Sequence, residues 1–512
     1  MKKLWLLSLS IVAACSSSQP PPGEAPTDAD VDAAIDAAGG GKTPSPVETA
    51  RFEKARAELE ALMAKKKVPG AAFAVVLRGT LMFSVGLGVK MEGTTDPVTP
   101  DSLFRVASMT KPIVTAGILQ QVEAGAMGLD TTLRKYLPAF NRSTGDAAKV
   151  KVRHLLSHTS GIPDEEPYKC KTDTSYLATW LAARNVDPLW APPGRLYNYS
   201  NGGFGFAAYA LQEVVKQPFT TYLKERVLAP AHMDTATFEP AEASPDQTFG
   251  HDRYGKRIVD FTNEDCAVMR AYMGIIASAK DYAHFAETFM ANDGALVAPA
   301  SLDSMQAPTT PTGYGDDAMG LGMFNAPWRD TRVAFHDGRA TGWESSLVMV
   351  PTERLAVVVL FNVDDQSPAE FAFRAIDIMR GREGGTPDYA TAVSTWAKYA
   401  GVYQDPFNWL STMTVSWSPK GLTLSIPDHS LERALLQVGG DSFAFDYEGR
   451  YQHGTFFMDA SGVGEYYATR FGVAKRTPTS PPPPTPGPPP TPEPKTPAYW
   501  NHAHAHHAWR RP

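Results

Sequence analysis

Strand-like runs at both ends of a long helical stretch set the tightest limit on how this chain folds. Near the start, Ala71-Ala72-Phe73-Ala74-Val75-Val76-Leu77 and Leu81-Met82-Phe83-Ser84-Val85-Gly86-Leu87 flank Arg78-Gly79-Thr80, which reads as a hairpin turn. Strand patterns return only at Val333-Ala334-Phe335-His336, at 345–350 and at 355–362. The stretch between is mostly helical and rich in loops, to about Asp293. A helical period covers 48–67 (Phe52, Ala55, Leu59, Leu62, Met63), and 371–380 reads as a helix after the last strand. Terminal strands must share one sheet, and the helical middle must pack as its own lobe. That is an α+β plan, expected over 48–382.

A different pattern begins near Trp396 and runs to 475. Short alternating runs (Met413/Val415/Trp417, Leu422/Leu424/Ile426, Phe443/Phe445/Tyr447, Phe456/Met458) recur between Gly, Pro, Asp and Asn. This predicts a small all-β domain, a barrel or a sandwich. Outside these two domains the composition cannot bury a core. Residues 16–47 are rich in Pro, Gly, Ser and Asp and read as a flexible linker. From 476 to 512 the chain is first Pro/Thr-rich and then His-rich. Its polyproline part would be a stiff spacer of roughly 60 Å if fully extended. His502, His504, His506 and His507 lie in the tail that follows, where closely spaced histidines have metal affinity but no fixed geometry.

The first residues read as an export signal: Lys2 and Lys3, an apolar run from Leu4 to Ala14, then Cys15. The run is too short to cross a bilayer as a helix. Val12-Ala13-Ala14-Cys15 resembles a bacterial lipoprotein signal, which implies lipidation of Cys15 after removal of what precedes it. Ser16 in the next position favours the outer membrane in that class. The alternative is an ordinary secretory signal cleaved near Cys15. Export implies an oxidising compartment, so Cys170 and Cys266 either pair or remain as two buried thiols. The formal net charge of -7 and the lack of a basic stripe argue against nucleic acid as a partner. The expected membrane contact is the lipid anchor alone.

The chemistry centres on Ser108-Met109-Thr110-Lys111-Pro112. A helix starting near Ser108 brings Lys111 one turn on, to the same face. A serine hydroxyl needs a neighbour to take its proton, and burial lowers the pKa of a lysine toward that task. Taken alone, the pair is equally a helix cap beside a solvated lysine.

The motifs that follow resemble, in order, the serine β-lactamase-related family of class C type, which includes DD-peptidases and class VIII esterases. They are His154-Leu155-Leu156-Ser157-His158-Thr159-Ser160-Gly161-Ile162-Pro163, then Pro193-Gly194 with Tyr199-Ser200-Asn201, then His336-Asp337-Gly338. The resemblance implies a β-lactamase/transpeptidase-like fold, and the C-terminal module is similar to the lipocalin-like appendage of some members. It implies an acyl-enzyme on Ser108, with Lys111 or Tyr199 as base. A free tyrosine has a pKa of about 10, which a lysine ammonium nearby would lower. Asn201 would donate to substrate or to Lys111, or simply form a turn. Gly338 would let the strand approach substrate, and the amide of Arg339 would join that of Ser108 in an oxyanion hole. His154 and His158 are structural in the family pattern. His336-Asp337-Gly338 occupies the motif that is Lys-Thr-Gly in the family's β-lactamases and often His-Ser-Gly or His-Thr-Gly in their relatives. Relative to lysine it removes a cation for a penicillin carboxylate and adds the Asp337 charge, unless the Arg339 side chain restores anion binding. The expected activity is therefore an esterase acting on small esters or amides. A β-lactamase or peptidoglycan DD-peptidase, and a non-catalytic cell-surface binding protein, are the alternatives. No metal and no organic cofactor is implied.

Overall fold

A computed structural model describes residues 43–164, 171–240, 245–258, 265–312, 317–364, 366–382, 396–405, 411–418, 421–439, 441–447, 450–469 and 473–477. Cys15, Cys170, the linker up to 42 and the tail histidines lie outside the described residues.

The first domain is built on one antiparallel sheet. Its strands are β1 (Gly70–Leu77), β2 (Thr80–Gly88), β5 (Thr310–Pro311), β6 (Ala318–Met319), β7 (Phe324–Trp328), β8 (Thr331–Ala340), β9 (Trp343–Val350) and β10 (Leu355–Phe361). Two short strands, β3 (Phe104–Arg105) and β4 (Ile276–Ala277), pair with each other apart from it. The sheet order is β2-β1-β10-β9-β8-β7-β6-β5. Strand β1 therefore pairs with β10 from the far end of the domain, Phe73 opposite Val359. This closes the two ends of the sequence into one sheet, as the strand pattern requires. Helices are α1 (Pro46–Lys66), α2 (Thr110–Glu123), α3 (Val152–Leu156), α4 (Tyr176–Arg184), α5 (Asn201–Val215), α6 (Phe219–Leu223), α7 (Ala267–Met273), α8 (Ala279–Ala291), α9 (Pro299–Gln306) and α10 (Ala369–Arg380).

Local chemistry explains the ends of these elements. Ser45 and Glu48 form a reciprocal capping box at the start of α1, and Pro46 sits at its first turn. Arg78 and Gly79 adopt positive φ (52° and 72°), which matches the twist of a two-residue hairpin. Ser278 and Asp281 cap α8 in the same way as α1 is capped.

Strand β1 reads as an unbroken apolar run because both of its faces are covered. Ala72, Ala74 and Val76 face a core with Ala283, Phe285 and Ala286 of α8. Ala71, Phe73 and Val75 face Phe52 and Leu59 of α1 and Phe371 of α10. Phe73 meets Phe83 and Phe371 edge-on, with ring centroids 5.7 Å and 5.4 Å away.

The second domain is a closed barrel of β11 (Gly401–Asp405), β12 (Ser411–Ser418), β13 (Gly421–Ile426), β14 (Leu431–Gly439), β15 (Ser442–Tyr447), β16 (Arg450–Met458), β17 (Gly464–Thr469) and β18 (Val473–Arg476). Closure comes from β11 pairing with β18, Tyr403 opposite Arg476. That pairing makes the domain a barrel and not a sandwich, and closure leaves no edge strand. Tyr399, Tyr403, Phe443, Phe456 and Tyr467 fill its interior.

The barrel rests on one loop of the first domain. Ala191 and Leu196 form an apolar cluster with Tyr466, Ala468 and Val473, and Trp190 packs against it. Trp190 Nε1 donates to the Val473 carbonyl at 2.6 Å, and Arg195 Nη2 lies 3.1 Å from Glu465 Oε2. The inner side of that loop is hydrogen-bonded to the segment 158–161. Trp190 N donates to Gly161 O, Gly194 N to Thr159 O and Asn198 N to His158 O, each at 2.7 Å. A Cβ at Gly161 would strike the Ala191 carbonyl, so the close approach of the two segments needs glycine there.

Cys266, just before α7, is disulfide-bonded. The pairing anticipated with Cys170 falls on a residue outside the described set. Beside it, Ala267 N donates to the Lys171 carbonyl at 2.8 Å.

Truncating Phe73 to alanine removes a ring that is fully buried on the α1/α10 side of the sheet. The expected cost is about 3–5 kcal/mol of stability, measured by chemical denaturation followed by circular dichroism.

Candidate active site

Ser108 stands where a strand turns sharply into a helix. Strand β3 delivers Val106; Ala107 then takes a positive φ of 47°, a conformation unfavourable for a residue with a Cβ. Ser108 sits in a single 3-10 turn, Ala107–Met109, and α2 begins only at Thr110. The helix start predicted at Ser108 is thus a tighter turn followed by the helix. Neighbours clamp this turn from several sides. Val106 N donates to Ile275 O at 3.1 Å, Ser345 Oγ to Val106 O at 2.7 Å, and Tyr282 OH to Met109 O at 2.9 Å.

Lys111 is fully buried. Its Nζ lies 2.8 Å from Ser108 Oγ, 2.8 Å from Asn201 Oδ1 and 3.2 Å from the Tyr272 carbonyl. Tyr272 is in the last turn of α7, where carbonyls lack intrahelical partners and favour a cation. The rings of Tyr199, Tyr272 and Phe204 lie 4.9, 5.3 and 5.6 Å from the same nitrogen. Burial pulls the Lys111 pKa well below the usual lysine value, and the Asp164 carboxylate pulls it back up.

Tyr199 approaches from the other side, its OH 2.9 Å from Ser108 Oγ. It ends the loop that carries the barrel, just before α5. Ser200 caps α5 by accepting from Gly203 N at 2.9 Å, and its hydroxyl also donates to Pro163 O at 3.2 Å. His158 is buried behind the phenol. Its ring stacks on Tyr199 at 4.2 Å, and its Nδ1 accepts from Ser200 N at 3.0 Å. Burial holds His158 well below the usual histidine pKa, so it is neutral there. Its structural role, expected from the sequence, extends to direct support of Tyr199. Asn201, the first residue of α5, turns its Oδ1 to Lys111 and is held by Asp164, whose Oδ1 accepts from Asn201 N at 2.8 Å.

Strand β8 forms the facing wall. It pairs with β7 only over Thr331–Phe335, which leaves residues 336–340 as an open edge. The two-residue turn Thr341-Gly342 makes Ala340 and Trp343 a hydrogen-bonded pair. Alternation then leaves the Arg339 amide on the edge away from β9, where an oxyanion donor belongs. A Cβ at Gly338 would strike the Val106 carbonyl and Ser345 Oγ, so glycine is what lets the strand lie against the Ser108 turn.

The side chains of this wall depart from the expectation. His336 is buried to 1 % exposure, packs against Phe324 at 5.1 Å and has Nδ1 2.7 Å from the Asp337 carbonyl. The Asp337 carboxylate is buried too and accepts from Ser346 Oγ at 2.8 Å. The Arg339 guanidinium is bound to Asp364 at 2.9 Å and lies beside Glu344, so an unpaired cation is not what it offers to a substrate.

The geometry brings Ser108, Lys111, Tyr199 and Asn201 into one hydrogen-bonded group, with Gly338 and the Arg339 amide opposite. Two contributors were missed from the sequence, Asp164 and the Tyr272 carbonyl. An acidic residue directly after the Gly161-Ile162-Pro163 turn was the available signal for the first; a backbone carbonyl leaves none. Among the described residues no group of three or more His, Cys, Asp or Glu is disposed to hold a metal ion.

A serine in the tight turn that leads into a helix, a lysine in that helix's first turn, a tyrosine from a loop and an open strand edge define a transpeptidase-like serine hydrolase fold. The beta-lactamase family profile matches residues 55–378, and the chain belongs to that family. It is 24% identical to Protein flp of Staphylococcus aureus (strain COL) over 353 residues, covering 67% of this chain and 68% of that protein. It is 28% identical to Penicillin-binding protein 4 of Amycolatopsis lactamdurans over 320 residues, covering 59% of this chain and 83% of the relative. Among solved structures, SurE aligns with a TM-score of 0.66 at 20% identity, over 84% of this chain and all (100%) of that one. A class C beta-lactamase aligns with a TM-score of 0.56 at 19% identity, over 66% of this chain and 98% of that one.

Replacing Gly338 with alanine drives a methyl group into backbone. Ser108 reactivity is expected to fall below detection and stability by about 1–3 kcal/mol, read by covalent labelling and thermal melting. Acidification is expected to destabilise the fold through the histidines of the 151–158 segment. Burial pushes His154 down to about 4, and His158 is depressed in the same direction. The unfolded chain takes up these protons near pH 6.5 and the folded chain does not, so their stabilisation is present above that pH and lost as pH falls toward 4. His284, raised by Glu287, works in the opposite sense. Tm profiles between pH 7.5 and 4.5 should fall less steeply for His154→Asn than for the parent.

Proposed function

We propose that this protein is a serine hydrolase that forms an acyl-enzyme on Ser108 and acts as an esterase on small esters or amides. The observation that carries this reading is the convergence of Lys111 Nζ and Tyr199 OH on one oxygen, Ser108 Oγ, at 2.8 and 2.9 Å. Two groups able to exchange a proton with one hydroxyl meet the need of a serine nucleophile. The Ser108 Oγ–H bond breaks toward the base as Oγ bonds to the substrate carbonyl carbon. The carbonyl electrons move onto oxygen, where the Ser108 and Arg339 amides receive them. Collapse expels the alcohol or amine, which takes the proton back, and water repeats the sequence to release the acid.

The ester preference rests on charge. Arg339 is engaged by Asp364, and His336 and Asp337 are buried. A wall of this kind gives little reward to a substrate carboxylate, the group that penicillins and terminal D-Ala peptides carry. A second reading, beta-lactam or peptidoglycan chemistry, draws on the relative named a penicillin-binding protein. The export signal and Cys15 support a site of action in the cell envelope, on a lipid anchor.

A fluorophosphonate probe is expected to label the protein and not its Ser108→Ala variant, with p-nitrophenyl acetate hydrolysed and nitrocefin left intact. Equal labelling of both forms would remove the assignment and leave a binding protein. Nitrocefin turnover, or release of D-Ala from a peptidoglycan stem peptide, would move the substrate class to the second reading.

A further inference from the structure

Asn201 offers one acceptor, Oδ1, and one donor group, Nδ2. Asp164 takes the donor: its Oδ2 lies 3.3 Å from Asn201 Nδ2, while its Oδ1 accepts from the Asn201 backbone at 2.8 Å. A carboxylate cannot donate, so this pairing fixes the amide with Oδ1 toward Lys111 at 2.8 Å. Lys111 then faces two pure acceptors, Asn201 Oδ1 and the Tyr272 carbonyl, plus the Ser108 hydroxyl.

Proton counting gives this arrangement a consequence. Lys111 and Tyr199 together hold the same number of protons as ammonium with phenolate or as amine with phenol. In the first form the ammonium donates to all three neighbours, and the Ser108 O–H is released to point at Tyr199. In the second, the amine must accept from Ser108. Burial is the larger influence on Lys111 and lowers its proton affinity; Asp164 is the carboxylate that acts on it in the opposite direction. The other titratable groups facing this pair are Tyr272 from α7, His158 from the loop behind Tyr199, and His336 from β8, which acts on His158.

We propose that Asp164 is a positioning residue of this site: by turning Asn201 Oδ1 onto Lys111 and placing its own charge behind it, Asp164 keeps the proton on lysine and makes Tyr199 the group that takes the Ser108 proton. The acylation step balances on that basis. Ser108 Oγ loses its proton to the Tyr199 oxygen, Oγ bonds to the carbonyl carbon, and the leaving oxygen or nitrogen recovers the proton from Tyr199 as its bond to carbon breaks. Lys111 stays charged throughout.

This rests on the serine hydrolase reading, and the test separates the two. The rate of fluorophosphonate labelling is measured from pH 5 to 10 for the full chain, for Asp164→Asn and for Asp164→Glu, with circular dichroism melts of each. No labelling of the parent protein at any pH would overturn the hydrolase reading itself. With labelling established, Asp164→Asn is expected to lower the plateau rate about tenfold or more, part of the roughly 100-fold or greater effect of a positioned base. Its acid limb should move to lower pH, because the lysine loses its proton more easily. Asp164→Glu, which keeps the charge, should return the limb toward the parent position even if its melt is lower. An acid limb that moves down with an undiminished or higher plateau would make the lysine amine the base and overturn the proposal. A lower rate with an unchanged pH profile would also overturn it, since that is what a merely structural loop residue would give.

Discussion

A lysine side chain with no solvent exposure is the constraint on which this active site depends. An ammonium in an apolar interior is costly unless every N–H finds an acceptor. Here the acceptors come from separate parts of the chain: the tight turn before the helix that carries Lys111, the start of α5 and the last turn of α7. Each element is held in place partly by the need to satisfy one nitrogen. The same nitrogen sits among three aromatic rings, which exclude water and leave the geometry little freedom.

Two layers of support surround that centre. Behind Tyr199 lies neutral His158, stacked on the phenol and bonded to the next amide. Around both runs a two-ply loop, residues 158–161 against 190–198, whose close backbone contacts permit glycine at Gly161. On the opposite side Gly338 performs the same service for β8 against the Ser108 turn. The Ser108 hydroxyl is therefore positioned by backbone-to-backbone approach on two sides, which fixes it more tightly than side chains from loops would.

Much of this is legible in the sequence alone. Ser108 with Lys111, Tyr199 with Asn201, and Gly338 on a returning strand could be picked out, because each has a local signature. So could the α+β plan and the terminal all-β domain, since alternation and helical period are read over short windows. Local windows carry no information on what meets across the fold. Asp164 looks like a turn residue until Asn201 is seen beside it. His336 and Arg339 looked like a substrate wall, yet one is buried against Phe324 and the other is bound to Asp364, twenty-five positions along the chain. Strands β5 to β7 went unread because two are only two residues long and β7 contains a proline. The choice of a barrel over a sandwich needed the β11–β18 pairing, which joins the two ends of the domain.

That seam has a consequence for the order in which the molecule is completed. Strand β18 both closes the ring and supplies the Val473 carbonyl that receives Trp190. The loop leading to Tyr199 is thus braced by a strand made long after it. All residues grouped around Ser108 are synthesised by Arg339, but the outer brace of that group waits for well over a hundred more positions. A nascent or clipped chain ending before Val473 would carry both plies of the loop but lack the barrel contact that braces it from outside. In this architecture, completion of the loop that positions Tyr199 is tied to the arrival of β18.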